Sequence, residues 1–339
     1  MKTTFKRTLG KSGIQVAPMG MGCWAIGGPM TMQGMNLGWG KVDDAESKRA
    51  LQKAHELGIN FFDTADAYGM GHSEELIGDV LSKHRDELVI ATKFGFVFNE
   101  KEITGFDGSP DYIGKAIDAS LKRLKTDYID LYQFHMADFD QEEAVKTRDA
   151  LEGLVDAGKI KGYAWSTDKL ENVELFAEGP NCIAVQQELN VFLGNQEIID
   201  LCERQDLASL NRGPLAMGIL TGKFNENSLL PEDDCRYMVD QQGDPYYLFF
   251  RDGKPVPELL EKLDAIKEIL QSDGRTLAQG ALAWIWAKSD KTIPIPGFKT
   301  VKQVEENVGA IEHGPLNNAQ MDEIEWIFAF MKQGECSEV

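Results

Sequence analysis

Short apolar runs alternate with amphipathic stretches along most of the chain. The runs lie near residues 16–22, 59–64, 88–94, 128–135, 161–166, 183–188, 207–211 and 292–296, and each reads as a buried strand. Nearly every one is followed by helical spacing. Ala50, Leu51, Ala54 and Leu57 repeat behind an Asp43-x-x-Glu46 capping pattern, and Gly58 stops that helix. Ser73 is expected to cap the next, which carries Leu76, Ile77, Val80 and Leu81. Further helices are expected over 111–124, 142–157, 170–177, 198–204, 258–270, 277–287, 301–311 and 320–331. Strict strand–helix alternation implies parallel strands, and eight of them imply a closed (β/α)8 TIM barrel of the α/β class.

Three departures from the alternation shape the expected mouth and floor. Lys11-Ser12-Gly13 reads as the turn of an N-terminal β-hairpin between residues 5–9 and 14–16. Residues 26–40 and 95–109 read as loops. After the seventh strand, residues 213–257 form a long excursion, expected to lie over an active-site mouth. Without a repeat or a low-complexity linker, residues 1–339 read as a single barrel domain. Gly20-Met21-Gly22-Cys23-Trp24-Ala25 spells G-x-G-x-x-A, but a dinucleotide fingerprint must open an amphipathic helix. The Gly- and Met-rich segment that follows does not, so an open doubly wound sheet is disfavoured.

Charge and composition narrow the function. A net charge of −20 argues against nucleic acid or an anionic membrane as partner. Five scattered cysteines without a CxxC indicate a reducing compartment and no cysteine-based metal site. No apolar run approaches the ~18 residues of a membrane span. The first residues lack the apolar core of a signal peptide, so a cytoplasmic location is expected.

In such barrels the active site lies at the C-terminal ends of the strands. Asp63, Lys93 and His135 fall at three of these ends, with Tyr68 just past the first of them. Singly each has a structural explanation: a turn-starting acid, a lysine reaching out to water, a hydrogen-bonded core histidine. Together they make coherent chemistry. A nearby ammonium lowers a tyrosine's pKa from about 10, an aspartate keeps that lysine charged, and a histidine can orient a carbonyl. The set protonates an oxygen that becomes an alcohol. With no metal site apparent, the hydride is expected from a nicotinamide cofactor. Asp66 is expected to be solvated.

The residues then reached carry a resemblance. Asp63-Thr64-Ala65-x-x-Tyr68-Gly69-x-Gly71-x-Ser73-Glu74-x-x-x-Gly78, Ala91-Thr92-Lys93 and Tyr132-Gln133-x-His135 resemble the aldo-keto reductase superfamily. So do Leu9-Gly10-Lys11-Ser12-Gly13, Leu220-Thr221-Gly222-Lys223, and Ile295-Pro296-Gly297 followed by Glu306-Asn307. The resemblance implies an NAD(P)(H)-dependent barrel with the tetrad Asp63, Tyr68, Lys93 and His135, Tyr68 being the general acid/base. It also implies cofactor contacts from Gly22, Trp24, Pro214, Leu215, Leu220, Gly222, Lys223, Gly297, Glu306 and Asn307. Ser166 and Gln186 match the family's carboxamide ligands, whereas Thr167 stands where Asn is usual. Arg212 replaces the aromatic ring that commonly stacks on the nicotinamide. A guanidinium plane can stack too, but its charge should disfavour the oxidised, cationic ring. Gln303 replaces a common arginine for the 2′-phosphate, and Thr300-x-x-Gln303 doubles as a capping box. The entry to that helix is a natural anion site. Lys299 and Lys302 remain to neutralise a phosphate, so NADP(H) is favoured, with NAD(H) possible.

The expected substrate is a small carbonyl compound, apolar or ring-bearing, held by Trp24, the 26–40 segment, residues 94–106, Phe139, Trp165 and residues 223–257. Two other readings compete: a cofactor-binding regulatory subunit with the same fold and little turnover, and a barrel hydrolase, for which paired carboxylates are lacking.

Overall fold

The computed structural model describes residues 5–237 and 248–335. Eight parallel strands follow one another in chain order around a sheet: Met21–Gly22, Phe61–Asp63, Val89–Phe94, Leu131–Phe134, Tyr163–Ser166, Cys182–Glu188, Ala208–Arg212 and Thr292–Pro294. The sheet closes on itself. Gly20 and Gly22 donate to the carbonyls of Pro294 and Pro296 at 3.0 Å, and Gly22 bridges to Gly297. A Cβ on Gly22 would lie 2.6 Å from the Ile295 carbonyl oxygen, so the seam needs glycine. The first strand is shorter than expected. Val16 instead pairs with Arg7 in the hairpin Arg7–Thr8/Gln15–Val16, and Pro18 offers no N–H between the two.

The period-two alternation of each strand sorts its side chains. Phe61, Val89, Ala91, Leu131, Ala164, Ala184, Ala208, Leu210 and Ile293 point inward and pack together. Leu9 and Val16 of the hairpin join them from below, so the hairpin plugs the barrel floor. Alternate residues such as Phe62, Ile90, Tyr132, Trp165 and Val185 face out and pack under the helices. The same inward phase carried two or four residues further delivers Asp63, Lys93, Gln133, His135, Gln186, Glu188 and Arg212. The interior is therefore apolar below and polar at its upper rim.

The helices are α1 (Asp44–Glu56), α2 (His72–Leu81), α3 (Pro110–Leu124), α4 (Gln141–Asp156), α5 (Leu170–Ala177), α6 (Gln196–Gln205), α7 (Pro257–Leu270), α8 (Leu277–Lys288), α9 (Val301–His313) and α10 (Asn318–Glu335). Asp43 caps α1 as expected, accepting from Ala45 and Glu46. Ser73 does not cap α2. That helix starts at His72 after Gly71, and the Ser73 hydroxyl donates to the Cys23 carbonyl at 2.8 Å while accepting from Thr64.

Two segments expected as loops pair with each other. Met35–Asn36, Thr31–Met32, Ile103–Phe106 and Phe96–Phe98 form a small four-stranded sheet, in that order, above the barrel. The excursion after the seventh strand contains a kinked turn, Ala216–Thr221, and a hairpin, Phe250–Arg251/Lys254–Pro255, and residues 238–247 lie outside the described part. It is stitched to the first loop: Cys235 donates to the Gly38 carbonyl at 3.0 Å and Asn36 to that of Asp233 at 2.5 Å.

Candidate active site

The upper rim opens into a cavity of about 600 Å³ that runs from Tyr68 and His135 to the start of α9. At its floor the four ionisable groups expected there come together. Lys93, at the end of the third strand and fully buried, places Nζ 2.6 Å from Asp63 Oδ1, 2.8 Å from the Thr64 carbonyl and 3.2 Å from Tyr68 Oη. Asp63 Oδ2 accepts from Gln133 and Gln186, each at 2.8 Å. The carboxylate thus has three donors and the ammonium three acceptors, which is how such a pair survives away from water. Tyr68 hangs on a tight turn: Gly69 has φ +63°, and a Cβ there would meet the Gly27 carbonyl at 2.0 Å.

The electrostatics differ in one respect from expectation. Burial raises the Tyr68 pKa, and the proximity and hydrogen bond of Lys93 only partly offset it. The phenol therefore stays protonated near neutrality, the form a proton donor needs. Burial pulls the Lys93 pKa down, but Asp63 and Tyr68 more than restore it, leaving the group cationic. His135 is held well below the ordinary histidine range by burial and by the charges of Lys93 and Arg212, so its ring is neutral. Its Nδ1 is buried without a hydrogen-bond partner, and the ring stands edge-on to Tyr68 at 5.9 Å.

Of the expected cofactor contacts, Gly22, Trp24, Gln186, Arg212, Pro214, Leu215, Lys223, Gly297, Lys299, Gln303, Glu306 and Asn307 line the cavity. Leu220 is buried beneath it and Gly222 sits over Leu277. Ser166 and Thr167 are also absent from the lining. The Thr167 hydroxyl is aimed at the Ala137 carbonyl, 3.2 Å away, and accepts from Asn172. The start of α9 is a weaker anion site than its sequence implies. Glu46 already takes the Val301 N–H at 2.9 Å, and Gln303 takes those of Lys299 and Thr300 in the expected capping box. What this end offers an anion is therefore side-chain charge. Lys223 and Lys299 face this end, with Lys299 anchored to the Trp39 carbonyl at 2.5 Å.

Arg212 is not a bare cation. Asp168 pairs with it, Glu188 lies 3.8 Å away, and one nitrogen donates to the Gln186 carbonyl at 3.3 Å. Asp168 offsets part of the charge that was to repel an oxidised ring and holds the guanidinium as a fixed plane. Burial pushes the Glu188 carboxyl up to about 7, with Arg212 opposing and Asp168 reinforcing. A carboxyl with a raised folded pKa contributes stability that is complete below its unfolded value, about 4.3, and lost as pH rises through the folded one. Thermal stability should therefore fall between pH 5 and 7.5, and Glu188→Gln should remove a share of that slope worth up to about 3 kcal/mol. An unchanged slope in melts of the variant would place the titration elsewhere.

Several site features went unread in the sequence. Arg236, 5 % exposed, reaches the cavity from the excursion, bound to Asp234 and to the Met217 carbonyl and lying over Trp39. Its position depends on loop contacts, and no local signal announces it. Gln133 was readable: it shares the inward phase of Leu131 and His135. Asp66 is not solvated but 1 % exposed, near the buried Glu74–Arg123 pair, and burial drives its carboxyl well above the usual range. Trp165 and Phe139 do not reach the mouth. Trp165 faces outward, donating to the Met136 carbonyl at 2.6 Å and packing on Phe176, and Phe139 packs on Phe134. The mouth is lined, within the expected segments, by Trp24, by Met30, Leu37 and Trp39, and by Phe96 and Ile103.

Comparison with known proteins agrees with this geometry. Residues 18–328 match the model of the Aldo/keto reductase family. The chain is 33% identical over 319 residues to "Aldo-keto reductase yakc [NADP(+)]" of Schizosaccharomyces pombe, covering 91% of this chain and 87% of that one. It is 30% identical over 329 residues to a probable voltage-gated potassium channel subunit beta of Arabidopsis thaliana, covering 91% and 92%. Among solved structures, the glycerol dehydrogenase AKR11B4 from Gluconobacter oxydans superposes with a TM-score of 0.80 at 27% identity, over 96% of this chain and 95% of that one. The chain belongs to the aldo/keto reductase family.

Proposed function

We propose that this protein reduces aldehydes or ketones with NADP(H), or oxidises the matching alcohols, with Tyr68 as the proton donor. One observation carries the reading. Lys93 touches Tyr68 Oη while ion-paired to Asp63, at the floor of a cavity that His135 also faces. A substrate carbonyl oxygen set between the Tyr68 hydroxyl and the His135 ring receives a hydrogen bond from each. Bound NADPH supplies the hydride to the carbonyl carbon. As negative charge grows on the oxygen, Tyr68 transfers its proton there, and the Lys93 ammonium stabilises the phenolate left behind. Asp63, held by Gln133 and Gln186, keeps Lys93 charged and aimed. In the reverse direction the same groups take the proton from the alcohol.

The residues fit the cofactor. Gly297 leaves the wall open, a Cβ there meeting nothing nearer than the Gly22 carbonyl at 3.9 Å, and the Arg212 plane offers a platform for a flat ring. Lys223, Arg236 and Lys299 gather positive charge at the far end, as phosphates require. The S. pombe relative carries NADP(+) in its name. Lys299→Ala should raise KM for NADPH roughly 10-fold, the size of one lost charged hydrogen bond, and change KM for NADH less. Equal effects on both would remove Lys299 from the 2′-phosphate.

The apolar mouth favours an aliphatic or ring-bearing carbonyl compound over a phosphorylated or dicarboxylic one. A panel of such substrates with NADPH tests the activity. The relative named as a channel subunit keeps a non-enzymatic reading in view: binding of NADPH with no turnover of any panel member would favour it.

A further inference from the structure

We infer a second site, for a divalent transition metal such as zinc, on the opposite end of the barrel from Tyr68. It is built by His55, in the last turn of α1, and by His84 and Glu87, in the kinked turn Ser82–Glu87 that follows α2. These segments lead into the second and third strands, so the three residues meet at the strands' N-terminal ends. One ligand atom from each lies within 4.8 Å of the others.

The separations point to a metal rather than to hydrogen bonding. His55 Nε2 lies 3.7 Å from Glu87 Oε2, and His84 Nδ1 lies 3.5 Å from Glu87 Oε1. Both are long for a hydrogen bond. Both are close to the edge of a zinc tetrahedron, about 3.4 Å for ligands bound near 2.05 Å. The two imidazoles lie side by side at 4.4 Å, although each needs a partner for its polar nitrogens. Glu87 has no lysine or arginine within ion-pair reach among the described residues, whereas neighbouring Glu56 is already engaged by Lys53 and Gln52. The side chains are 19%, 33% and 66% exposed, which leaves the metal reachable and a coordination position open to water. A cavity of about 260 Å³ adjoins, lined by both histidines and Gln52.

Two imidazoles and a carboxylate suit zinc, copper or nickel better than calcium or magnesium. Since the site joins the turns before two adjacent strands, its effect is on stability and not on the reaction. A ligand held only by the folded state raises its melting temperature, by about 3 °C at a hundredfold excess over Kd for a chain of this size.

Calorimetric titration of the metal-stripped full chain with Zn²⁺ should show one saturable ion, and melting should shift upward with it. His55→Ala and His84→Ala should each weaken binding at least 10-fold, and Glu87→Gln less, while His72→Ala, at a separate histidine–carboxylate contact, should not. Co²⁺ in place of zinc should give visible absorption that disappears in His84→Ala, a readout that does not depend on the variant's stability. The inference is overturned by absence of saturable binding. Binding that survives both His55→Ala and His84→Ala, or that is lost in His72→Ala, overturns it equally.

Discussion

Tyr68→Phe should lower kcat for carbonyl reduction by roughly 10²–10⁴-fold, the usual worth of a positioned proton donor. The substitution removes one oxygen and little else. The ring's packing against Trp24, at 6.1 Å, and His135 needs no hydroxyl, and Lys93 retains Asp63 and the Thr64 carbonyl. NADPH affinity, followed by fluorescence quenching, should therefore stay unchanged while kcat collapses. A variant that kept its kcat would remove Tyr68 from the reaction and leave the cavity without a donor. A variant that lost NADPH binding as well would show that the hydroxyl holds the cavity's shape rather than carries a proton.

Lys93→Met should be the costliest single change for stability. Its partner Asp63 is 2 % exposed, and without the ammonium that carboxylate keeps only the Gln133 and Gln186 amides. Breaking one side of a buried ion pair costs about 3–5 kcal/mol, whereas replacing both sides is often close to neutral. Urea unfolding should accordingly show a large loss for Lys93→Met and recovery of most of it in Asp63→Asn/Lys93→Met. Activity should stay low in both, because neither restores the cation beside Tyr68. If the double variant were no more stable than the single one, the cost would come from lost packing at position 93 and not from the stranded charge.

Much of this site was legible because barrel strands are regular. Once Phe61 faces inward, Asp63 must too, and the same counting places Lys93 above Ala91 and His135 above Leu131. The phase was available for Gln133 as well, and for Trp165, whose outward position follows from its neighbour Ala164 facing in. Local chemistry also carried Thr300-x-x-Gln303, which caps α9 as its spacing implies. Failures cluster where position depends on distant chain. The hairpin of Thr31–Met32 and Met35–Asn36 joins a larger sheet by meeting Ile103, seventy-one residues on from Met32, and Arg236 is placed by Trp39, Phe224 and Phe250. Ser73 is a different case: its residue type favours a cap, but a carbonyl fifty residues away offered the better partner.

The hairpin beneath the barrel has a consequence for how the chain is made. Arg7 donates to the carbonyl of Thr292, 285 residues later, and to those of Trp286 and Ser289. At synthesis rates of about 5–20 residues per second, Arg7 waits roughly 15 s to a minute before these partners exist. The seam between Gly22 and Gly297 is delayed almost as long. Until then the first strand has an unpaired edge and the floor lacks part of its wall, so the nascent barrel is an open sheet. The Lys93–Asp63 pair, by contrast, joins neighbouring strands and can form early. Chemistry at the rim is thus assembled well before the vessel that keeps it dry.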